Sequence, residues 1–150
     1  MQLSQTVEYT LRAAVWLAGR FGEPQTTAQI AEGTKVPASY LSKVLQGLGK
    51  SGLVSSQRGV GGGFTLVKDP SELSLLEIVE AVEPFQRIRS CPFKLPGHGT
   101  DLCPFHRTLD DAFSVVQESF ATTRLSDMVA TNDPIQPLCA SEKLVDLRRS

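Results

Sequence analysis

The feature that most constrains this chain is a change of period at Leu53. Upstream of it, apolar residues recur at three- and four-residue steps; from Leu53 onward they follow an extended pattern broken by a run of glycines. Leu53-Val54-Ser55-Ser56-Gln57 and Phe64-Thr65-Leu66-Val67 read as two short strands, joined by Arg58-Gly59-Val60-Gly61-Gly62-Gly63. Glycine enters left-handed backbone without steric cost, so this composition between strands predicts a hairpin tip. It does not predict a nucleotide-binding phosphate loop, because the Gly-Lys-Ser/Thr ending is missing and a strand, not a helix, follows.

Helices flank the hairpin. Leu3, Val7, Leu11, Ala14, Val15 and Ala18 share one face of a helix over residues 3–21, which Gly22 and Pro24 end. Thr26-Thr27 offers an N-cap to a short helix from Ala28 to about Gly33, with Ile30 and Ala31 pointing inward. Residues 33–37 form a turn, and Pro37 opens a helix to about Lys50 that buries Leu41, Val44, Leu45 and Leu48. Another helix is expected from Leu75 to Val82, capped by Ser74. Residues 84–103 hold Pro84, Pro92, Pro96, Gly97, Gly99 and two cysteines, and read as a loop. Pro104 then opens a long helix with Leu109, Ala112, Phe113, Val116 and Phe120 in one stripe, followed by a short turn over Leu125–Val129. Residues 131–150 read as an irregular tail with a short helix near Leu144.

The expected fold class is mainly α with one small β-hairpin: a winged helix-turn-helix plus a long C-terminal dimerisation helix. Four parts follow: a winged-helix unit over residues 1–83, a Cys/His loop over 84–103, a dimerisation helix and terminal turn over 104–130, and the tail over 131–150. The stripe on the long helix suits an intramolecular core helix as well as a dimer seam.

Charge is distributed unevenly. Residues 1–69 hold 7 Lys and Arg against 4 Asp and Glu, a balance of about +3. Residues 70–150 hold 8 against 12, about −4, and together these give the net −1 of the chain. The first half is therefore the one expected to face phosphate. With no apolar run of membrane-spanning length and no secretory leader pattern at Met1–Gln5, the expected location is cytoplasmic, with no membrane partner.

A helix pair followed by a glycine-tipped hairpin suits double-stranded DNA. The outward face of the second helix offers Ser39, Tyr40, Ser42, Lys43 and Gln46, groups that reach base edges and phosphates. Thr27, at a helix N-terminus with free N–H groups, is a candidate phosphate clamp. Arg58 at the tip suits a minor groove, and Gly59, Gly61 and Gly62 let the backbone approach the duplex. The competing reading is a winged helix that binds another protein.

Several stretches carry a resemblance. Leu3-Ser4 with Glu8-Tyr9, Ser39-Tyr40-Leu41 with Leu45, and Ser51-Gly52-Leu53-Val54 with the tip from Arg58 to Gly63 resemble the Rrf2 family of bacterial regulators. So do Ser74-Leu75-Leu76-Glu77-Ile78-Val79, Cys103-Pro104-Phe105-His106 and Leu125-Ser126-Asp127-Met128-Val129. The motifs occur in order over about residues 1–130. The resemblance implies a homodimeric transcription regulator, usually a repressor. Its long helices cross so that each protomer reads one half of a palindromic operator, and redox, iron or nitric-oxide status modulates DNA affinity.

Cys91, His98, Cys103 and His106 bring thiol and imidazole groups into one loop and its exit. Such groups ligate iron or zinc. In cluster-binding members of the family three cysteines usually occupy this loop, and a further ligand comes from elsewhere. Carried over residue by residue, Cys91 and Cys103 match the outer cysteines, His106 a histidine ligand and Glu8 a carboxylate of the partner subunit. The middle cysteine is absent, with Gly97 or His98 in its place. That departure favours a two-iron over a four-iron iron–sulphur cluster, held by Cys91, Cys103, His106 and either Glu8 or His98. Zinc on Cys91, His98, Cys103 and His106, a thiol pair that answers oxidants, and a loop with no cofactor stay open. Cys139, in the tail, is assigned no ligand role. An enzyme is not expected: His98 or His106 beside Cys103 imitates a nucleophile and base, but no oxyanion-stabilising partner accompanies them.

Overall fold

The computed structural model describes residues 3–99 and 101–130. The expectations for the tail, Cys139 included, lie outside the described residues. Helices α1 (Gln5–Ala18), α2 (Thr27–Thr34) and α3 (Ala38–Lys50) precede an antiparallel hairpin of β1 (Val54–Gln57) and β2 (Gly63–Leu66). A 3-10 turn at Pro70–Glu72, then α4 (Leu75–Glu80), α5 (Pro104–Thr122) and α6 (Leu125–Val129), complete the order. This is the winged helix-turn-helix with a long C-terminal helix that the change of period predicts.

The local chemistry explains the boundaries. Ser4 caps α1 by accepting the backbone N–H of Val7. Thr26 and Gln29 form a reciprocal capping box at α2, and Ser74 and Glu77 form another at α4. The backbone N–H of Ser74, bonded to the Glu77 carboxylate, holds that group below the usual glutamate range. Each cap satisfies donors that have no partner inside the helix. Thr26, not Thr27, is therefore the cap, and Thr27 is the first residue of α2. Pro37 likewise stands just outside α3, in extended backbone at the cap position.

The core lies where α1, α2, α3 and the hairpin meet α4 and α6. Leu17, Ile30, Leu41, Leu45, Leu48, Leu73, Ile78 and Leu125 are fully buried there. Each such side chain contributes roughly 1.5–3 kcal/mol relative to exposure. The inward face of α1 differs from the expected stripe: Thr10, Ala13, Trp16 and Leu17 are buried with Val7, Ala14 and Ala18, while Leu3 is exposed and Leu11 and Val15 are only half-buried. α1 is buried over a wider arc because α2, α3, α4 and α6 all pack on it. Trp16 is central. Its indole N–H donates to Gln25 Oε1 at 3.1 Å, and its ring lies so close to Gly33 that a Cβ there would sit 1.9 Å from it. Gly33 is thus required inside α2 by packing.

Two further features escape a reading by local pattern. Gln25 pairs with Phe64, Phe64 N–H donating to Gln25 O at 2.8 Å and Gln25 N–H to Phe64 O at 3.0 Å, so the hairpin is fastened to the segment before α2. At the far end, Leu75 N–H donates to Thr123 O and Leu125 N–H to Leu73 O, which returns the chain from α5 to the winged helix. α4 ends at Glu80, short of Val82, and the expected terminal turn is the five-residue α6.

α5 contrasts with the rest. Among its 19 residues only His106 is buried. Of the stripe, Phe113, Val116 and Phe120 are half-buried, Ala112 is exposed and Leu109 is 38% exposed. No helix among the described residues is long and apolar enough to cross a membrane.

Candidate nucleic-acid interface

The turn between α2 and α3 sets the outer face of α3 beside β2. Lys35 ends α2 in left-handed backbone (φ 58°), and the buried Thr34 hydroxyl donates to Ile30 O at 2.6 Å, fixing the turn. With Leu41, Val44, Leu45 and Leu48 docked inward, helical geometry leaves Ser39, Ser42, Lys43 and Gln46 outward. These four, with Thr27 and Tyr40, line one open concavity of about 830 Å³, and Phe64 of β2 supplies its remaining wall. The structure thus brings together all six helix residues singled out from sequence. Phe64 was not among them: it reads only as a strand residue, and its backbone pairing with Gln25 is not visible in local pattern.

Tyr40 is 41% exposed and held from behind. The ring of Tyr9 on α1 meets it edge-on at a centroid distance of 5.5 Å. Tyr9 in turn accepts a hydrogen bond from Gln5 at 2.8 Å and lies under the Arg12 guanidinium. Glu8 pairs with that same Arg12 at 3.0 Å.

The hairpin tip lies outside the concavity lining. Gly59 and Gly61 have φ of 95° and 74°, and a Cβ at Gly62 would fall 2.3 Å from Gln57 O. The turn therefore needs glycine at these positions. Arg58 is exposed, and Val60 projects fully into solvent at 110% relative exposure.

The Cys/His loop is organised around its exit. Cys103 stands at the cap position of α5 with its Sγ 3.5 Å from His106 Nδ1. That spacing suits two donors of one tetrahedral ion, given bonds of about 2.3 Å to sulphur and about 2.0–2.1 Å to nitrogen. His106 is packed between the rings of Phe93 and Phe105, at 5.9 and 5.0 Å. Cys91 is buried, and His98 Nδ1 is buried with no hydrogen-bond partner. Yet no three of the His, Cys, Asp and Glu side chains stand together as a metal-binding group among the described residues. As arranged in one chain, then, the described donors do not assemble the four ligands of an iron–sulphur cluster; Cys103 and His106 are in contact, and Glu8 is engaged by Arg12.

The start of the loop is clasped to α5. Arg87 grips both Asp110 oxygens at 2.7 Å and donates to Gln117 at 3.1 Å, while Ile88 N–H donates to Asp110 Oδ1 at 2.9 Å.

A docked helix with a polar outward face, set in a concavity beside a glycine-tipped hairpin, defines a DNA-binding regulator of the winged-helix class. Comparison makes this specific: residues 3–131 match the Rrf2 family, described as an iron-dependent transcriptional regulator, and the chain belongs to that family. It is 30% identical over 151 residues to the HTH-type transcriptional regulator IscR of Serratia proteamaculans, covering 100% of this chain and 91% of that one. Among solved structures it resembles IscR of T. potens (TM-score 0.75, 25% identity, 91% of this chain and 93% of that one). It also resembles CymR, the global cysteine regulator of B. subtilis (TM-score 0.71, 27% identity, 89% and 99%). These relatives are transcription regulators, not enzymes.

Proposed function

We propose that the protein is a cytoplasmic homodimer that binds a palindromic operator, usually to repress, and that iron, redox or nitric-oxide status modulates its affinity through the Cys/His loop. The observation that carries the DNA reading is the concavity itself: Thr27, Ser39, Tyr40, Ser42, Lys43 and Gln46 share one open surface beside the hairpin. Arg58, Gly59, Gly61 and Gly62 form a second contact at the tip, reaching the flanking minor groove. Dimerisation is supported by α5, whose stripe Leu109, Ala112, Phe113, Val116 and Phe120 is only partly covered within one chain. The winged helix of residues 1–83 then reads DNA, residues 84–103 sense, and residues 104–130 dimerise.

Binding to a selected duplex tests the reading head. Arg58→Ala, Tyr40→Ala and Lys43→Ala should each weaken it, and the affinity should fall steeply with salt because phosphate contacts release counterions. Unchanged affinity in all three variants, or a flat salt slope, would leave a winged helix that binds protein. For the loop, the family's description as iron-dependent supports iron sensing. The cluster is not a step in this reading, since the donors of one chain do not assemble it. Iron and sulphide content of anaerobically purified protein discriminates between a two-iron cluster completed in the dimer and a loop that works with zinc or no cofactor.

A further inference from the structure

The concavity is not uniformly polar. Half-buried Phe64 lines it from the hairpin, and the exposed Tyr40 lines it from α3. Both are fixed in place. Phe64 is bonded through its backbone to Gln25 at 2.8 and 3.0 Å, and Tyr40 is buttressed by the edge-on ring of Tyr9 at 5.5 Å. A polar base edge laid against the face of either ring would lose hydrogen bonds to water and gain none from that face, the Tyr40 hydroxyl lying at the ring's end. On the major-groove edges of the four base pairs the apolar group is the C5-methyl of thymine.

One polar side chain of the same concavity agrees with that choice. Among the described residues its lining includes no carboxylate, the group that best accepts from the amino group of cytosine, and its one cation, Lys43, suits either phosphate or guanine. It does include Gln46, whose amide matches the N6 and N7 pair of adenine. A thymine methyl on the rings and an adenine edge on Gln46 are the two faces of A·T pairs.

Resting on the DNA reading above, we propose that Tyr40 and Phe64 form an apolar seat for thymine C5-methyl groups, and that this seat, with Gln46, reads A·T pairs within the half-site while Lys43 serves phosphate or guanine. The experiment first uses the full chain to select duplexes from a randomised library. Each thymine of the selected half-site is then replaced by uracil, which removes the methyl and leaves the pairing edge. Expected is a roughly three- to fourfold loss of affinity at one or two positions, the size of one buried methyl, and no loss for uracil in the flanks. The penalty should shrink in Tyr40→Ala and Phe64→Ala, with Phe64→Leu replacing the latter if the alanine variant fails to fold. A chain that selects a site but tolerates uracil at every thymine, or keeps the full penalty in these variants, overturns the seat alone. A chain that selects no sequence overturns the DNA reading and the seat together.

Discussion

The winged helix and the long helix α5 are built from similar proportions of apolar residues but handle them differently. In the winged helix, Leu17, Ile30, Leu41, Leu45 and Leu48 are fully covered by their own chain. In α5 the apolar positions stay half-covered or open, and Val115 is 71% exposed. The first region satisfies the hydrophobic effect alone; the second does so only with something laid along it, which in the proposed dimer is a second copy. Substitutions in the two should therefore differ in kind: unfolding in one, loss of assembly in the other.

The largest effect is expected at the centre of the winged helix. Leu45→Ala should lower unfolding free energy by about 2–5 kcal/mol, as buried leucine truncations do, measured by denaturant titration. Gly33→Ala should follow at about 1–3 kcal/mol, since the added methyl meets the Trp16 ring. Val115→Ala on α5, by contrast, should stay within about 0.5 kcal/mol. If Leu45→Ala proved as mild as Val115→Ala, the contrast between the regions would fail.

Next comes the seam. Val116→Asp should give a folded monomer in sedimentation at micromolar protein. Its affinity for a two-half-site duplex should drop about a hundredfold, because linking two heads raises avidity by roughly that factor or more. A variant that stays dimeric would place the dimer seam elsewhere and leave the α5 stripe as an exposed face of other use.

The same contrast marks what was legible in the sequence. The helix pair, the hairpin and the α4 cap could be read because each is set by neighbours within a few residues: Ser74 with Glu77, and the glycines with their own turn. What escaped depends on distant partners. The Gln25–Phe64 bridge joins residues far apart in sequence, and it fastens the strand whose Phe64 lines the concavity to the segment before α2. The wider buried arc of α1 follows from the helices packed around it, which local periodicity does not encode. For the loop, the ligand types were visible but not their assembly: spacing put Cys91, His98, Cys103 and His106 together, whereas in one chain the last two are in contact and no three of the described donors form a group.

The smallest expected effect sharpens the comparison at the joint between the two regions. Hydrogen bonds from the Arg87 guanidinium, and then from the Ile88 N–H, hold the Asp110 carboxyl down to about 2, from an ordinary 3.8. A carboxyl whose pKa falls on folding binds fewer protons folded than unfolded. The stability it lends is therefore complete above the unfolded value near 3.8, and is lost as pH falls through about 2. Within that window the loop start should come away from α5 while α3, which carries no carboxylate of its own, stays docked on the core. Hydrogen exchange at Ile88, whose amide bonds to Asp110, should accelerate across this range beyond its intrinsic rate, while the amides of α3 remain protected. Asp110→Asn should show the faster Ile88 exchange already at pH 5, with little change in α3. Equal loosening of both amide sets would mean that the two regions unfold as one unit, and that the clasp is not a separate joint.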